Sequence, residues 1–465
     1  MCIRDSGYPE EIGAIMRTTC SQSGCHTTAS REAAAGLSLE TWELLFEGSR
    51  GGSAVVPYSP DQSFLLYSIN TDSTRGVTLE PTMPIGASPL SDADYNMVKQ
   101  WILEGARDAS GKERFPEKAN RRKWYVGNQG CDLVAVFDAE SKQIMRYVQV
   151  GIIDGQAESP HMIKISEDKQ FWYVIFLDQN PHIEKYSTLT DERLADIYIG
   201  PGDWNTLSLS PDGKFAFAVA YNGQKVAVAD LEKDTLATAL LTFPNKIHGS
   251  KVHPTLQKLY ITLQDESGLF VLDYDNDGEI VNFETVDLIQ GTQPQIPGEV
   301  WPHEIAFNPD GSKYYVSCQH SNEVRVFEST NNALETVIPV GDWPSEFAVS
   351  PSTGNLFVSC MEDLSTFSGD PTKRGSIAII NYTSNTLVKA VYTGYQPHGI
   401  EVDEESGYLV VGNRNNNPDG PAPHHSSDCG SRNGYLSLID LQSLDLVDGF
   451  KTELSVDPYT VAVKY

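Results

Sequence analysis

The chain has 465 residues, 40% of them hydrophobic and 10% aromatic, which is ample for packed cores and too long for one ordinary domain. Its formal charge of −29 argues against a nucleic-acid partner, because a phosphate backbone must be met by Lys and Arg. No stretch approaches the roughly 20 apolar residues of a membrane-spanning helix, and seven cysteines in so long a chain do not make a disulfide scaffold.

The opening residues MCIRDSGYPEE contain no apolar run of the kind that directs export. Residues 7–108 read as helical, with candidate helices at 8–18, 39–48, 61–69 and 92–106. The last has Ser91 and Asp92 as caps, and Met97, Trp101, Ile102 and Leu103 as an apolar stripe. Within this region lies Thr19-Cys20-Ser21-Gln22-Ser23-Gly24-Cys25-His26. Two thiols followed directly by an imidazole suit covalent haem attachment: the thiols bond the vinyl groups and the His binds iron. The usual spacing between the thiols is two residues; here it is four, and Gly24 lets the longer loop bulge without displacing Cys25 and His26. Pro81-Thr82-Met83-Pro84 then supplies Met83 as the second iron ligand, a pairing that suits electron transfer. A short disulfide and a zinc site are the competing readings of the two thiols. Zinc wants four ligands, and the segment holds no further His or Cys.

Taken in order, a helix, Cys-x4-Cys-His, AGLSLETWELL, a Met-Pro loop and PLSDADYNMVKQWILEGA resemble the class I cytochrome c domains fused to other modules in bacterial extracytoplasmic proteins. The resemblance covers about residues 8–108. It implies one covalent haem c held by Cys20, Cys25, His26 and Met83, and a first helix crossing the last through Ile12, Met16, Trp101 and Ile102. It also implies a periplasmic or otherwise extracytoplasmic protein, with the export signal missing from this sequence.

Residues 109–122 read as a charged linker, and from 123 to 465 the chain reads as short strands in a recurring four-strand unit. Seven leading strands begin at 161, 205, 248, 303, 345, 398 and 459. The copy at 123–150 has no leading strand of its own, and the run 459–465 fits that gap, closing the ring from the opposite terminus. The expected fold is therefore multidomain, a small all-α domain followed by an all-β seven-bladed propeller. The segments YVGNQGCDLVAVFD, SPDGKFAFAVAY and YYVSCQHSNEVRVF resemble the YVTN repeat family over about 115–465, which implies the fold and says little about chemistry.

Aligning the blades brings His161, Asn205, His248, His303, Ser345, His398 and Tyr459 to one equivalent position at the start of each innermost strand. These side chains are expected to gather at one mouth of the central channel. His182, His320, His424 and His425 fall on the same face, as do Cys131, Cys318, Cys360 and Cys429; His253 falls on the other. Insertions at 413–434 and around 362–374 join that face, where Cys131 and Cys429 come from neighbouring blades and are placed to bridge, and Cys318 and Cys360 stand too far apart. The ring resembles that of nitrous oxide reductase, whose seven-bladed propeller holds a copper cluster with histidines at this end of its channel. It also resembles the nitrite reductases that join a cytochrome c domain to a propeller carrying a second haem. None of their local motifs is reproduced here, and the second group has eight blades. Three readings stand: a metal or second cofactor bound by His161, His248, His303 and His398, imidazoles that only bond backbone carbonyls, and a small-molecule or oxyanion site.

Asp273-Tyr-Asp275-Asn-Asp277-Gly278 with Glu284 has the spacing of an EF-hand loop, although strands and not helices flank it. A structural calcium ion and a plain acidic hairpin turn are both consistent with it. Three functions follow. The first, and favoured, is an electron carrier with a redox partner protein and the propeller as docking or ligand-binding domain. The second is an oxidoreductase whose haem feeds the channel mouth, and the third a binding or scaffold protein with an accessory haem.

Overall fold

The structure, a computed structural model, describes residues 6–153, 155–178, 180–291, 298–370, 372–415 and 433–465. Its first hundred residues form α1 (Glu10–Ile15), α2 (Trp42–Leu45), α3 (Phe64–Ile69) and α4 (Asp92–Leu103). α1 runs without a break into a π-helical turn, Met16–Cys20, closed by Ser21 N donating to the Met16 carbonyl at 2.7 Å. Single π turns of this kind reset the direction of the next side chains, here the first cysteine.

α2 is capped by Thr41 Oγ1, which accepts from Leu44 N at 3.2 Å, and α4 by Ser91 Oγ, which accepts from Asp94 N at 3.1 Å. α4 buries Tyr95, Val98, Trp101 and Ile102. Met97 and Leu103, expected in that stripe, are exposed instead. They stand roughly 100° and 140° around the helix from Val98, outside the arc that faces the core. α1 packs on α4, and Ile12, Met16, Trp101 and Ile102 share one core.

From residue 123 onward the elements are strands, arranged as seven antiparallel sheets. Their inner strands are Pro458–Lys464, Pro160–Ile165, Trp204–Leu209, Ile247–Val252, Pro302–Phe307, Pro344–Ser350 and Tyr395–Asp403, taken from blade one to blade seven. Each touches the next and the last touches the first, which makes a closed ring. In blade one the C-terminal strand pairs with Lys123–Asn128, so the sheet order is 458–464, 123–128, 133–138, 143–149. The outer strand of blade three is split into Thr235–Leu236 and Leu241–Thr242, both paired with Lys225–Asp230.

Second strands such as Phe215–Ala220 and Asn355–Cys360 are buried at every position, because neighbouring blades cover both faces. Outer strands such as Arg193–Tyr198 are largely exposed. This gradient is why second strands such as Phe215–Ala220 read as continuous apolar runs.

The helical segment is packed against the propeller. Val56 is fully buried in the core between blades seven and one, with Trp124, Phe137, Val410 and Leu454. Ser53 Oγ accepts from Ile144 N at 2.8 Å and contacts Gln143 Oε1 at 2.8 Å, so a loop of the helical segment caps the outer edge of blade one. Residues 109–122 connect the two parts as a fixed strap: Phe115 is buried against Phe46, and Arg121 pairs with Asp138.

Candidate functional site

Two places bring the expected chemistry together. The first is built by the end of α1 and the loop after it. The Cys20 carbonyl accepts from His26 N at 3.1 Å, and Gln22 O accepts from Cys25 N at 2.9 Å. These bonds close the seven-residue segment Cys20 to His26 into a small ring despite the four-residue spacer between its thiols. Gly24 sits at φ +84°, the left-handed conformation that a side chain there would strain, so it turns the chain back toward Cys25. Beyond the motif, His26 O accepts from Leu39 N at 2.9 Å, and His26 Nδ1 lies 3.4 Å from the Leu37 carbonyl. Held on Nδ1 in this way, the imidazole presents Nε2 to a ligand.

Cys20, Cys25, His26 and Met83 line one cavity of about 500 Å³. Its remaining wall is mostly apolar, with Leu37, Leu39, Phe64, Leu65, Ile69 and Leu90 among its residues. Ala33, Ala34, Ala35 and Ala54 keep it wide. Met83 is anchored by its backbone N donating to the Ser68 carbonyl at 2.7 Å. Both thiols are free, which leaves the short-disulfide reading unsupported. Burial pushes the Cys20 thiol up to about 12, with Cys25 adding to the rise. Burial also lowers the His26 pKa, against the Leu37 carbonyl, which favours neutral imidazole, the form that binds metal. A roomy apolar cavity with two thiols, an imidazole and a thioether fits a covalently bound haem.

The second place is the propeller channel. The ring residues open the inner strands, and each strand shifts register beside that position, as between Pro302 and Ile305, Pro344 and Phe347, and Pro397 and Ile400. A bulge repeated at one level turns the side chains there toward the axis. Most of the ring is stitched from blade to blade. His161 Nδ1 bonds the Asn205 carbonyl at 2.7 Å, and Asn205 Nδ2 the His248 carbonyl at 3.1 Å. His248 Nδ1 lies 3.3 Å from the His303 carbonyl, and His398 Nδ1 3.1 Å from the Tyr459 carbonyl. Carbonyl bonding by the imidazoles is therefore present, and it leaves each Nε2 on the other side of its ring.

The rings of His248 and His303 lie 4.1 Å apart and those of His303 and His398 6.3 Å apart, centroid to centroid. Below them a cavity of about 290 Å³ is lined by His161, His398, Tyr459, Lys164, Lys251, Glu346 and Glu401. Burial pushes Glu304, in the same channel, up to about 8; it also raises Glu346 and Glu401 and lowers Lys251.

These five charged residues were not singled out from the sequence. The signal was present: an ionisable residue stands one or three positions after the ring residue, in a strand whose neighbours in the sheet are apolar. Among the described residues, one group of His, Cys, Asp or Glu has three ligand atoms within 4.8 Å of one another, namely His303, Glu346 and His398. Of the four ring histidines expected to act together, two belong to it.

Elsewhere the expectations divide. His253 directly follows the inner strand of blade four, at the end away from the ring, with Nε2 3.0 Å from the Gly311 carbonyl. Cys318 and Cys360 are free and buried, at the rim that Pro302 and Pro344 share by register. Cys131 is disulfide-bonded; Cys429, its expected partner, lies outside the described residues, as do His424 and His425. The four carboxylates of the expected calcium loop are not gathered. Asp273 pairs with Lys258 at 2.6 Å, Asp275 Oδ1 accepts from the backbone of Asp277 and Glu279, and Glu284 accepts from Asn332 Nδ2 at 2.9 Å. The hairpin sends Glu284 along the strand, opposite Val271, while Asp273 faces Asn282.

Residues 248–375 match the family described as "Lactonase, 7-bladed beta-propeller", and residues 23–77 match "Planctomycete cytochrome C". The 6-phosphogluconolactonases of Yersinia pestis (strain Pestoides F) and Yersinia pseudotuberculosis serotype O:1b are 21% identical over 218 residues. These matches take in 45% of this chain and 62% of each relative, so the chain spans less than two thirds of their length. Among solved structures, a candidate 6-phosphogluconolactonase from Bacteroides uniformis aligns at TM-score 0.56 with 18% identity, covering 74% of this chain and all (100%) of that one. One from Bacteroides fragilis aligns at 0.55 with 15% identity, over 75% and 100%. At such identities the likeness speaks for the propeller fold, and the chain joins that propeller to a cytochrome c domain.

Proposed function

We propose that this protein transfers electrons through one haem c, bound covalently to Cys20 and Cys25, with His26 and Met83 as iron ligands. The observation that carries the reading is that all four side chains line a single apolar cavity of about 500 Å³. Haem bound there supplies a one-electron couple, and a His/Met ligand pair favours a high potential. The chain's own residues hold and shield it: Leu37 orients the imidazole, the Ser68 carbonyl fixes the Met83 loop, and the apolar wall keeps water from the site.

On this reading the protein is extracytoplasmic, where haem c is attached, and its partner is another redox protein that docks on the haem edge or on the propeller. Among the described residues no helix is long and apolar enough to cross a membrane. An oxidoreductase in which the haem feeds the channel is the second reading, favoured by the cluster of His303, Glu346 and His398.

The test is a pyridine haemochrome assay with elemental analysis, on protein produced alongside a haem-attachment system. One iron per chain, all of it haem c and resistant to acid–acetone extraction, supports the reading. Protein that matures without haem overturns it.

A further inference from the structure

The strongest unassigned chemistry lies on the inner strands of blades five, six and seven. Blades five and seven place His303 and His398 at the ring position; blade six has Ser345 there, and the next residue, Glu346, reaches in instead. Their ligand atoms lie within 4.8 Å of one another. We infer that His303, Glu346 and His398 bind one divalent first-row transition ion, of the zinc or copper class, inside the propeller channel.

Two imidazoles and one carboxylate form the donor set that zinc and its neighbours take, and three protein ligands leave further positions open to water or substrate. His398 is already oriented to coordinate, since Nδ1 is held by the Tyr459 carbonyl at 3.1 Å, which leaves Nε2 as the coordinating atom. The carbonyl of His303 accepts from Thr262 Oγ1 at 3.0 Å and lies 3.3 Å from His248 Nδ1, which fixes the backbone from which its ring projects.

The cavity of about 290 Å³ below the cluster has room for a small molecule at the open positions. The channel residues alone form this site, which does not depend on the haem.

Zinc binding by the full chain tests this, followed by calorimetry and by metal analysis after dialysis, and repeated with Cu²⁺. It is run on haem-bearing protein and on the Cys20→Ala/Cys25→Ala double variant, so that binding at empty haem thiols is separated from binding in the channel. One ion per chain in both backgrounds is expected. His303→Ala and Glu346→Gln should each weaken binding by more than the roughly 10–100-fold typical of losing an outer-shell partner. Glu346→Gln keeps the shape of the side chain, and an unchanged thermal transition shows that the fold survives. Absence of stoichiometric binding of either ion overturns the inference, as does binding that both substitutions leave intact.

Discussion

The Tyr459 ring lies 3.8 Å from the His398 imidazole, centroid to centroid, and is tilted from it by only 29°, while the Tyr459 carbonyl lies 3.1 Å from His398 Nδ1. One residue of the closing strand thus fixes both the plane and the tautomer of a histidine from the last blade. Tyr459 is itself held: the Arg414 guanidinium stacks 4.6 Å above its ring, and Arg414 is clamped by both carboxylate oxygens of Asp457. Ring closure and the orientation of His398 therefore depend on the same few side chains.

Tyr459 is on this account a positioning residue for the metal. Tyr459→Leu keeps the carbonyl and removes the stacked ring, so zinc affinity should fall by about tenfold, the lower end for an outer-shell partner. Tyr459→Phe keeps the stack and should restore it. Calorimetry on both variants checks this, and equal affinity in the Leu and Phe proteins would refute the positioning role.

Between blades one and two, Lys123 is buried, with Nζ 2.7 Å from Asp191 and 2.8 Å from the Thr188 carbonyl. Burial outweighs the attraction of Asp191 and brings its pKa down to about 8. Above that pH the unfolded chain still holds a proton that the folded protein has released, so raising the pH favours the folded state. The effect vanishes above the ordinary lysine value, where both states are neutral. From about pH 8 to about pH 9.5 the wild type should gain about 2 kcal/mol relative to Lys123→Met. Denaturant melts of both proteins at the two pH values measure it, and parallel pH trends would show that Lys123 does not titrate there.

What could be read from the chain was whatever repeats or sits next to itself. Seven leading strands at one phase define the blades, and Cys20, Cys25 and His26 are neighbours along the backbone. Met83 was marked by its prolines, and it lines the same cavity as those three. Glu346 was not, because it stands one place past the ring position and enters the channel only through the bulge between Pro344 and Phe347. The calcium spacing shows the same limit, since spacing carries no backbone path: the strand after the loop places Glu284 opposite Val271, and Asp273 opposite Asn282. Nor does any sequence pattern mark Val56, a single apolar residue of the helical segment that completes a core between two blades.

Val56 yields a stability prediction. It is fully buried in the core with Trp124 and Leu454, between backbone anchors at Ser53 and Ser59. Val56→Ala removes about two methylene equivalents at roughly 0.8 kcal/mol each and leaves a small cavity, a loss of about 2 kcal/mol. Chemical denaturation read by tryptophan fluorescence tests this. A midpoint unchanged by the substitution would mean that the helical segment does not contribute to propeller stability.

The haem reading makes separable predictions for its four residues, because thiols, imidazole and thioether do different work. Cys25 is exposed and Cys20 half-buried, and either Ala variant should still leave the cavity able to hold haem, now by a single thioether bond. Met83→Ala leaves both thioether bonds in place and removes the soft ligand that favours reduced iron, so haem stays covalent while its midpoint potential drops. His26→Ala removes the ligand oriented by Leu37 and should lower the yield of matured protein. Acid–acetone extraction with redox titration distinguishes these outcomes. A Met83→Ala protein with unchanged potential and optical spectrum would assign the sixth position to another residue, and the Ser68-anchored loop would then be wall and not ligand.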